Sequence, residues 1–150
     1  MQRYKRPESV LVVIYCLTTM RCLMLQRIDD PCFWQSVTGS MEDNELPNQT
    51  AIREVFEETG IDIINQGLTL IDTQHTVEFE IFPQFQHRYA PDVKINKEHW
   101  FYLPLLNEIT PVLTEHLAYQ WLSFSDAVNL TLSPNNGEAI SKIDHLIKIN

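Results

Sequence analysis

Four residues within one short run, Arg53, Glu54, Glu57 and Glu58, hold the densest chemistry in this 150-residue chain. They fall in a segment whose signals are helical: Pro47 sits at its start and Gly60 just past its end, predicting a helix over Pro47–Thr59. At about 100° per residue, Glu54, Glu57 and Glu58 share one arc, with Arg53 beside them. Ile52, Val55, Phe56 and Thr59 share another, the expected buried face. Like charges spaced i, i+3 and i+4 oppose helix formation by a few tenths of a kcal/mol per pair. They also lie toward the C-terminal end, where the helix dipole disfavours anions. Hard carboxylate oxygens so gathered suit Mg²⁺ or Mn²⁺, which would relieve the repulsion. The ordinary alternative for an E-x-x-E-E run is a solvated acidic face.

The flanking residues favour the metal. Gly39 opens a loop that must turn back into the helix, and a glycine there allows close backbone approach to an ion or phosphate. Glu45 stands ahead of the helix, where its dipole favours an anion. The whole run is Gly39, five residues, Glu45, seven residues, Arg53-Glu54-Val55-Phe56-Glu57-Glu58, one residue, Gly60-Ile61. It resembles the Nudix box at every defining position.

That resemblance implies one Nudix hydrolase domain over residues 1–150, with its box at 39–61. It implies an α+β chain folded as an α/β/α sandwich with a mixed central sheet. The implied activity is hydrolysis of a nucleoside diphosphate linked to another group, with Mg²⁺ as cofactor and Mn²⁺ as a substitute. Glu54, Glu57 and Glu58 correspond to metal ligands, Arg53 to the residue that orients them, and Gly39 to a glycine whose carbonyl joins the coordination shell. Which glutamate serves as general base stays open.

Blocks outside the box resemble the bacterial branch of the family that acts on a pterin triphosphate. They include Tyr4-Lys5-Arg6-Pro7, Leu25-Gln26-Arg27, Phe33–Ser40, Thr76–Phe82, His87–Pro91 and Thr114–Tyr119. This implies release of pyrophosphate from 7,8-dihydroneopterin triphosphate, leaving the monophosphate, an early step of folate synthesis. Glu115 then becomes a further metal ligand and substrate contact, with Glu78, Glu80 and Glu98 as rivals. Lys5, Arg27, Thr38, Phe79, Glu80, Ile81, Phe82 and Ser133 fall at substrate-contacting positions. Chemistry alone supports Arg27 as a bidentate phosphate partner and Phe79 or Trp34 as a stacking surface, with core packing preferred for Trp34. Competing readings are a pyrophosphohydrolase for nucleoside triphosphates such as dATP or for dinucleoside polyphosphates, and a non-catalytic nucleotide sensor. The intact box argues against the sensor.

Composition narrows the classes further. With 20 acidic and 11 basic residues and a net charge of -9, a broad nucleic-acid surface is not expected. Val10–Leu17 is too short for a membrane span and lacks a signal cleavage site, so it reads as a buried strand in a cytoplasmic protein. Cys16, Cys22 and Cys32 are odd in number and lack C-x-x-C spacing, so neither a disulfide framework nor a zinc site is indicated. No signal for an oligomeric state is present.

The elements that must position the glutamates follow from periodicity. Val10–Tyr15 and Cys22–Arg27 predict a hairpin, and Phe33–Val37 a further strand. Thr69–Thr73 and Thr76–Phe82 predict two more, the second with Val77, Phe79 and Ile81 on one face. Trp100–Leu105 and Tyr119–Leu122 complete the strands. Ser125–Leu130 predicts a short helix. Ser133-Pro134 predicts the start of a last one, with Ile140, Ile143, Leu146 and Ile147 on a shared face.

Overall fold

Alternation along the first strand sets the architecture. In β1 (Glu8–Cys16), Val10, Val12 and Ile14 join one buried cluster while Leu11, Val13 and Tyr15 join another. A strand buried on both faces demands cover on both. The computed structural model of the protein describes residues 3–149, with side chains to residue 143, and supplies that cover as a three-layer sandwich. The helix α1 (Pro47–Thr59) lies over one face with Val55 and Ala51 in its core, and α2 (Phe124–Leu130) and α3 (Pro134–Ile149) lie over the other. The fold is the expected α+β sandwich. Leu146 and Ile147, placed on the inner face of α3 by periodicity, lie outside the residues whose side chains are described.

The sheet has seven strands and forks. β6 (Ile95–Leu105) runs parallel to one edge of β1 along its whole length, and β5 (Ile71–Glu80) pairs antiparallel with β6. On the other edge, β1 meets β2 (Arg21–Arg27) only through Tyr15 and Cys16 at the hairpin end. Further along, the two strands part. The chain at β3 (Trp34–Gln35) and β4 (Val37–Ser40) fills the gap, pairing β3 with β2 and β4 with β1. The strand β7 (His116–Ser123) closes the far edge of β2.

The structure departs from the sequence reading in three places. The segment expected as one strand over Phe33–Val37 breaks at Ser36, where the chain crosses from β2 to β1. Asn136 of α3 holds the break: Ser36 N–H donates to Asn136 Oδ1 (2.8 Å) and Asn136 Nδ2 donates to Ser36 Oγ (2.9 Å), all buried. The two strands expected over residues 69–82 are one, β5, whose register shifts between Asp72 and Thr76. Gln74 takes φ 56° there, so the gap expected between two strands is a bulge inside one.

The third departure concerns α1. Its ends are as predicted, with Gly60 left-handed at φ 82° and its N–H bonded to Phe56 O. Its buried residues, however, are Thr50, Ala51, Glu54, Val55, Glu58 and Thr59, while Phe56 is 54% exposed. The buried face lies about 100° around the helix from the one expected. Hydrophobicity misplaced it because two of the residues facing inward are glutamates.

Stability should follow the observed face. Leu103→Ala, in the fully buried core, is expected to cost about 2–5 kcal/mol. Phe56→Ala is expected to stay within about 0.5 kcal/mol of wild type. Urea denaturation measures both, and a core-sized loss for Phe56→Ala would contradict the orientation of α1.

Candidate active site

The site begins where β4 meets α1. Their contact is close because residue 39 has no side chain: a Cβ at Gly39 would overlap the Glu54 carboxyl group. This is the structural reason for the glycine. Its φ is not in the left-handed region, which among the glycines only Gly60 and Gly67 occupy. Glu54 and Glu58, one turn apart on this face, are 8% and 1% exposed.

Arg53 ties the loop to the helix. Its Nε and Nη2 donate to the two oxygens of Glu45 (2.7 and 2.9 Å), a bidentate pairing. Nη2 also donates to Ser40 O (3.1 Å), and Nη1 to Glu54 Oε1 (2.7 Å) and Glu57 Oε2 (3.2 Å). Glu45 further accepts from Thr50 Oγ1 (2.7 Å) and the Glu42 N–H (2.9 Å). The Arg53 guanidinium pulls the Glu45 carboxyl down to about 2. Glu45 therefore braces the entry to α1. The helix N-cap is Leu46, which offers no side-chain cap; Gln49 Oε1 accepts its N–H instead.

Glu58 has no such compensation. Both its oxygens are buried without a hydrogen-bond partner among the described residues. Burial first, then the neighbouring Glu54 and Glu115, raise its pKa well above the ordinary carboxyl range, against a smaller opposing pull from the Thr38 N–H. Glu54 is raised too, chiefly by burial. The nearest basic atom, His116 Nε2, lies 3.5 Å from Glu58 Oε1. Burial and Arg27 hold that imidazole down to about 4, so it is neutral near pH 7 and supplies no counter-charge.

Beyond this acidic corner a cavity of about 960 Å³ opens. Of the predicted site residues, Lys5, Arg27, Thr38, Gly39, Arg53, Glu54, Glu58, Phe79, Ile81, Phe82, Glu115 and Ser133 line it. Glu57 and Glu80 do not. Glu57 sits at the exposed margin against Arg53. Glu80 is exposed on β5, out of phase with Phe79 and Ile81. Trp34 packs on the core below α3, as preferred from sequence. Glu115 arrives from a loop anchored on α1, where Val112 N–H donates to Thr59 O (2.8 Å) and Thr114 Oγ1 to Glu57 O (2.9 Å).

Several predicted contacts already have protein partners. Arg27 Nε and Nη2 both donate to the Asp29 carboxylate at 2.7 Å, and the guanidinium lies 4.2 Å from the Phe85 ring centre. The Thr38 hydroxyl donates to Val10 O, and Ser133 Oγ accepts from Asn136 N at the start of α3. Lys5, whose pKa is lowered by burial and then by Arg88 and Arg27, takes part in no ion pair among the described residues, unlike Arg27 and Arg88, which both pair with Asp29.

Sequence reasoning missed part of the lining: Phe33, Phe85, Arg88, Tyr89, Asn96 and Asn136. Phe33, Phe82 and Phe85 pack edge to face, with the Arg27 guanidinium over the Phe33 and Phe85 rings. Glu98, a rival metal ligand by sequence, is buried on the cavity floor with its carboxyl pushed up to about 7. Phe33, Arg88 and Tyr89 fall in blocks that carry the resemblance, but nothing local assigned them to the cavity; strand pairing and a short 3-10 segment at Pro83–Arg88 bring the lining together.

A divalent cation fits the acidic corner. Two adjacent buried carboxyl groups, one with both oxygens unpartnered, are what such a cation would satisfy. Among the described residues no three acidic, histidine or cysteine side chains stand as a finished ligand array. Arg53 draws Glu54 and Glu57 toward itself, and like charges do not converge unaided.

Fold and site together define the class, and residues 5–143 match the NUDIX domain; the chain belongs to the Nudix family. Its relatives are specific. It is 58% identical, over 93% of each chain, to the dihydroneopterin triphosphate diphosphatase of Escherichia coli strain K12. It is 53% identical to that of Haemophilus influenzae, over 95% of this chain and 90% of the relative. It matches the solved E. coli dihydroneopterin triphosphate pyrophosphohydrolase with TM-score 0.92 at 57% identity, covering 94% of this chain and 97% of that one. A Caenorhabditis elegans Ap4A hydrolase, 23% identical with TM-score 0.74 over 95% and 98% of the chains, shares the fold.

The burial of Glu58 has a pH signature. A carboxyl whose folded pKa exceeds its unfolded value binds protons on folding, so stability is greatest below about 4.5 and falls as pH rises toward the folded pKa. In chelator, Glu58→Gln should match wild type near pH 4.5 and melt several degrees higher at pH 8, at about 2–4 °C per kcal/mol. Thermal melts at the two pH values check this, and a lower midpoint at pH 8 would contradict it. Gly39→Ala should lower stability by about 1–3 kcal/mol through overlap with Glu54.

Proposed function

We propose that this chain hydrolyses 7,8-dihydroneopterin triphosphate to the monophosphate and pyrophosphate, using Mg²⁺ held by Glu54, Glu58 and Glu115, with Glu57 joining from the margin. Nudix hydrolases generally use divalent metal ions. The observation that carries the metal reading is Glu58, buried, unpartnered and beside Glu54. The substrate reading rests on relatives that share more than half their residues with this chain across nearly its whole length. The folate step follows from that substrate.

The reaction breaks the anhydride between the first and second phosphorus atoms. Water supplies the new oxygen, one product keeps the pterin and one phosphate, and the other is pyrophosphate. The bound cation would neutralise phosphate oxygens and lower the pKa of the attacking water. The protein's own part is positional. Arg53 braces Glu54 and Glu57 and fastens the loop at Ser40 and Glu45. Gly39, packed against Glu54 on the cavity wall, would add its carbonyl to the metal ligands, as the family resemblance implies. Lys5 adds positive charge toward the phosphate tail, and the Phe79–Phe82 wall gives the heterocycle an apolar surface. A carboxylate among Glu54, Glu57, Glu58 and Glu115 accepts the water's proton.

With Mg²⁺ present, the enzyme should release pyrophosphate from 7,8-dihydroneopterin triphosphate, with a higher kcat/KM than for dATP. Chelation should abolish turnover. Glu57→Gln and Glu58→Gln should each lower kcat by at least about 100-fold with the fold intact. Stepwise release of orthophosphate alone would overturn the reading. Full activity in either variant would remove that residue from the machinery.

A further inference from the structure

The face of the sheet beneath α3 changes character at the cavity. Leu11, Val13, Trp100 and Tyr102 make it apolar, but its end carries Ser9, Asn96 and Glu98. Strand register makes these residues neighbours: Ser9 and Val77 flank Glu98, and Phe79 stands opposite Asn96. Directly opposed side chains are about 5 Å apart at Cβ. Ser9, Asn96, Glu98 and Phe79 therefore form one patch of the cavity floor.

Its polar groups are under-satisfied. Glu98 is 6% exposed, and its one hydrogen bond among the described residues comes from Trp100 Nε1 to Oε1 (3.0 Å). No cation faces it. Asn96 Nδ2 donates to Ser9 Oγ (2.7 Å), while Asn96 Oδ1 has no partner among the described residues. Buried acceptors without donors are costly unless a ligand supplies the donors. A carboxylate accepts about four hydrogen bonds, so Oε1 keeps capacity beside Trp100.

We propose that Glu98 is a specificity residue that receives the paired N–H groups of the pterin ring, a ring nitrogen and the adjacent exocyclic amine, with Phe79 beside it packing on the ring. The inference rests on the pterin reading of the function. Two parallel N–H donors meet a carboxylate as a guanidinium fork does. Adenine offers an amine next to an unprotonated ring nitrogen, whose lone pair faces a carboxylate unfavourably. Glu98 thus selects for the pterin, away from the metal corner and without touching the reacting atoms.

The test is the kinetics of Glu98→Gln with Mg²⁺, on 7,8-dihydroneopterin triphosphate and on dATP. Gln keeps an acceptor for Trp100, and a thermal melt confirms folding. KM for the pterin triphosphate should rise about 10- to 100-fold, with kcat on both substrates within about twofold and KM for dATP unchanged or lower, since the Gln amide removes the repulsion of adenine's ring nitrogen. Equal losses on both substrates, an unchanged pterin KM, or a loss confined to kcat would overturn the proposal. Trp100→Phe separates the structural role of Glu98: it should leave the preference for the pterin over dATP in place, and loss of that preference would show that Glu98 acts through Trp100. Wild-type enzyme that cleaves dATP but not the pterin triphosphate overturns the substrate reading itself, and the Glu98 assignment with it. Pterin turnover with an unaffected Glu98→Gln overturns the assignment alone.

Discussion

Two carboxyl groups lie buried side by side on one helix face of this protein. Glu54 and Glu58 occupy positions that an ordinary amphipathic helix fills with leucine or valine. Neither burial nor mutual proximity favours their charge, and both are pushed toward the protonated form. The rest of the site reads as accommodation of that constraint. Gly39 leaves space for Glu54. Arg53 sets a cation beside the pair and spends its other donors on Glu45 and Ser40, so loop and helix move as one unit. Glu58, beyond the reach of that cation, keeps both oxygens without a hydrogen-bond partner among the described residues.

The fork in the sheet provides the room. A regular hairpin partner along all of β1 would place a strand of fixed spacing where β4 now runs. Instead β1 and β2 part after the hairpin, and Trp34–Ser40 enters between them with a break at Ser36. Asn136 stabilises the break from the opposite layer, through two buried hydrogen bonds. The start of α3 thus supports the strand that carries Thr38 and Gly39, although about a hundred residues separate them in the chain. Helices on opposite faces cooperate in one site because the strand between them is short and interrupted.

Charge is partitioned along the cavity. Acidic groups concentrate at the α1 corner, while Lys5, Arg27 and Arg88 stand on the rim with Asp29 between the two arginines. A chain of net charge -9 thus gathers buried carboxyl groups and several cations in one concavity. The aromatic wall of Phe79, Phe82 and Phe85 lies on the side of β5 and the segment after it. The cavity is therefore charged at one end and aromatic at the other.

Much of this was legible in the sequence. Composition, strand alternation and helix-end signals determined the α+β class, the ends of α1 and most strands, because those features arise between near neighbours. The spacing from Gly39 to Ile61 marked the family, since carboxylates that share one helix face must recur at its period. Tertiary structure alone decided which side of α1 faces inward: hydrophobicity put Phe56 inside, whereas the space beside Gly39 and the packing of Thr50, Ala51 and Val55 turned Glu54 and Glu58 there. It alone merged residues 71–80 into one bulged strand, through pairing with β6. It alone brought Glu98, Asn96, Phe85 and Asn136 to the cavity, because residues far apart in the chain become neighbours only through strand register and layer packing. The glutamate run with which the reading began therefore keeps its chemistry, and the fold sets how each member is used: two buried, one at the margin.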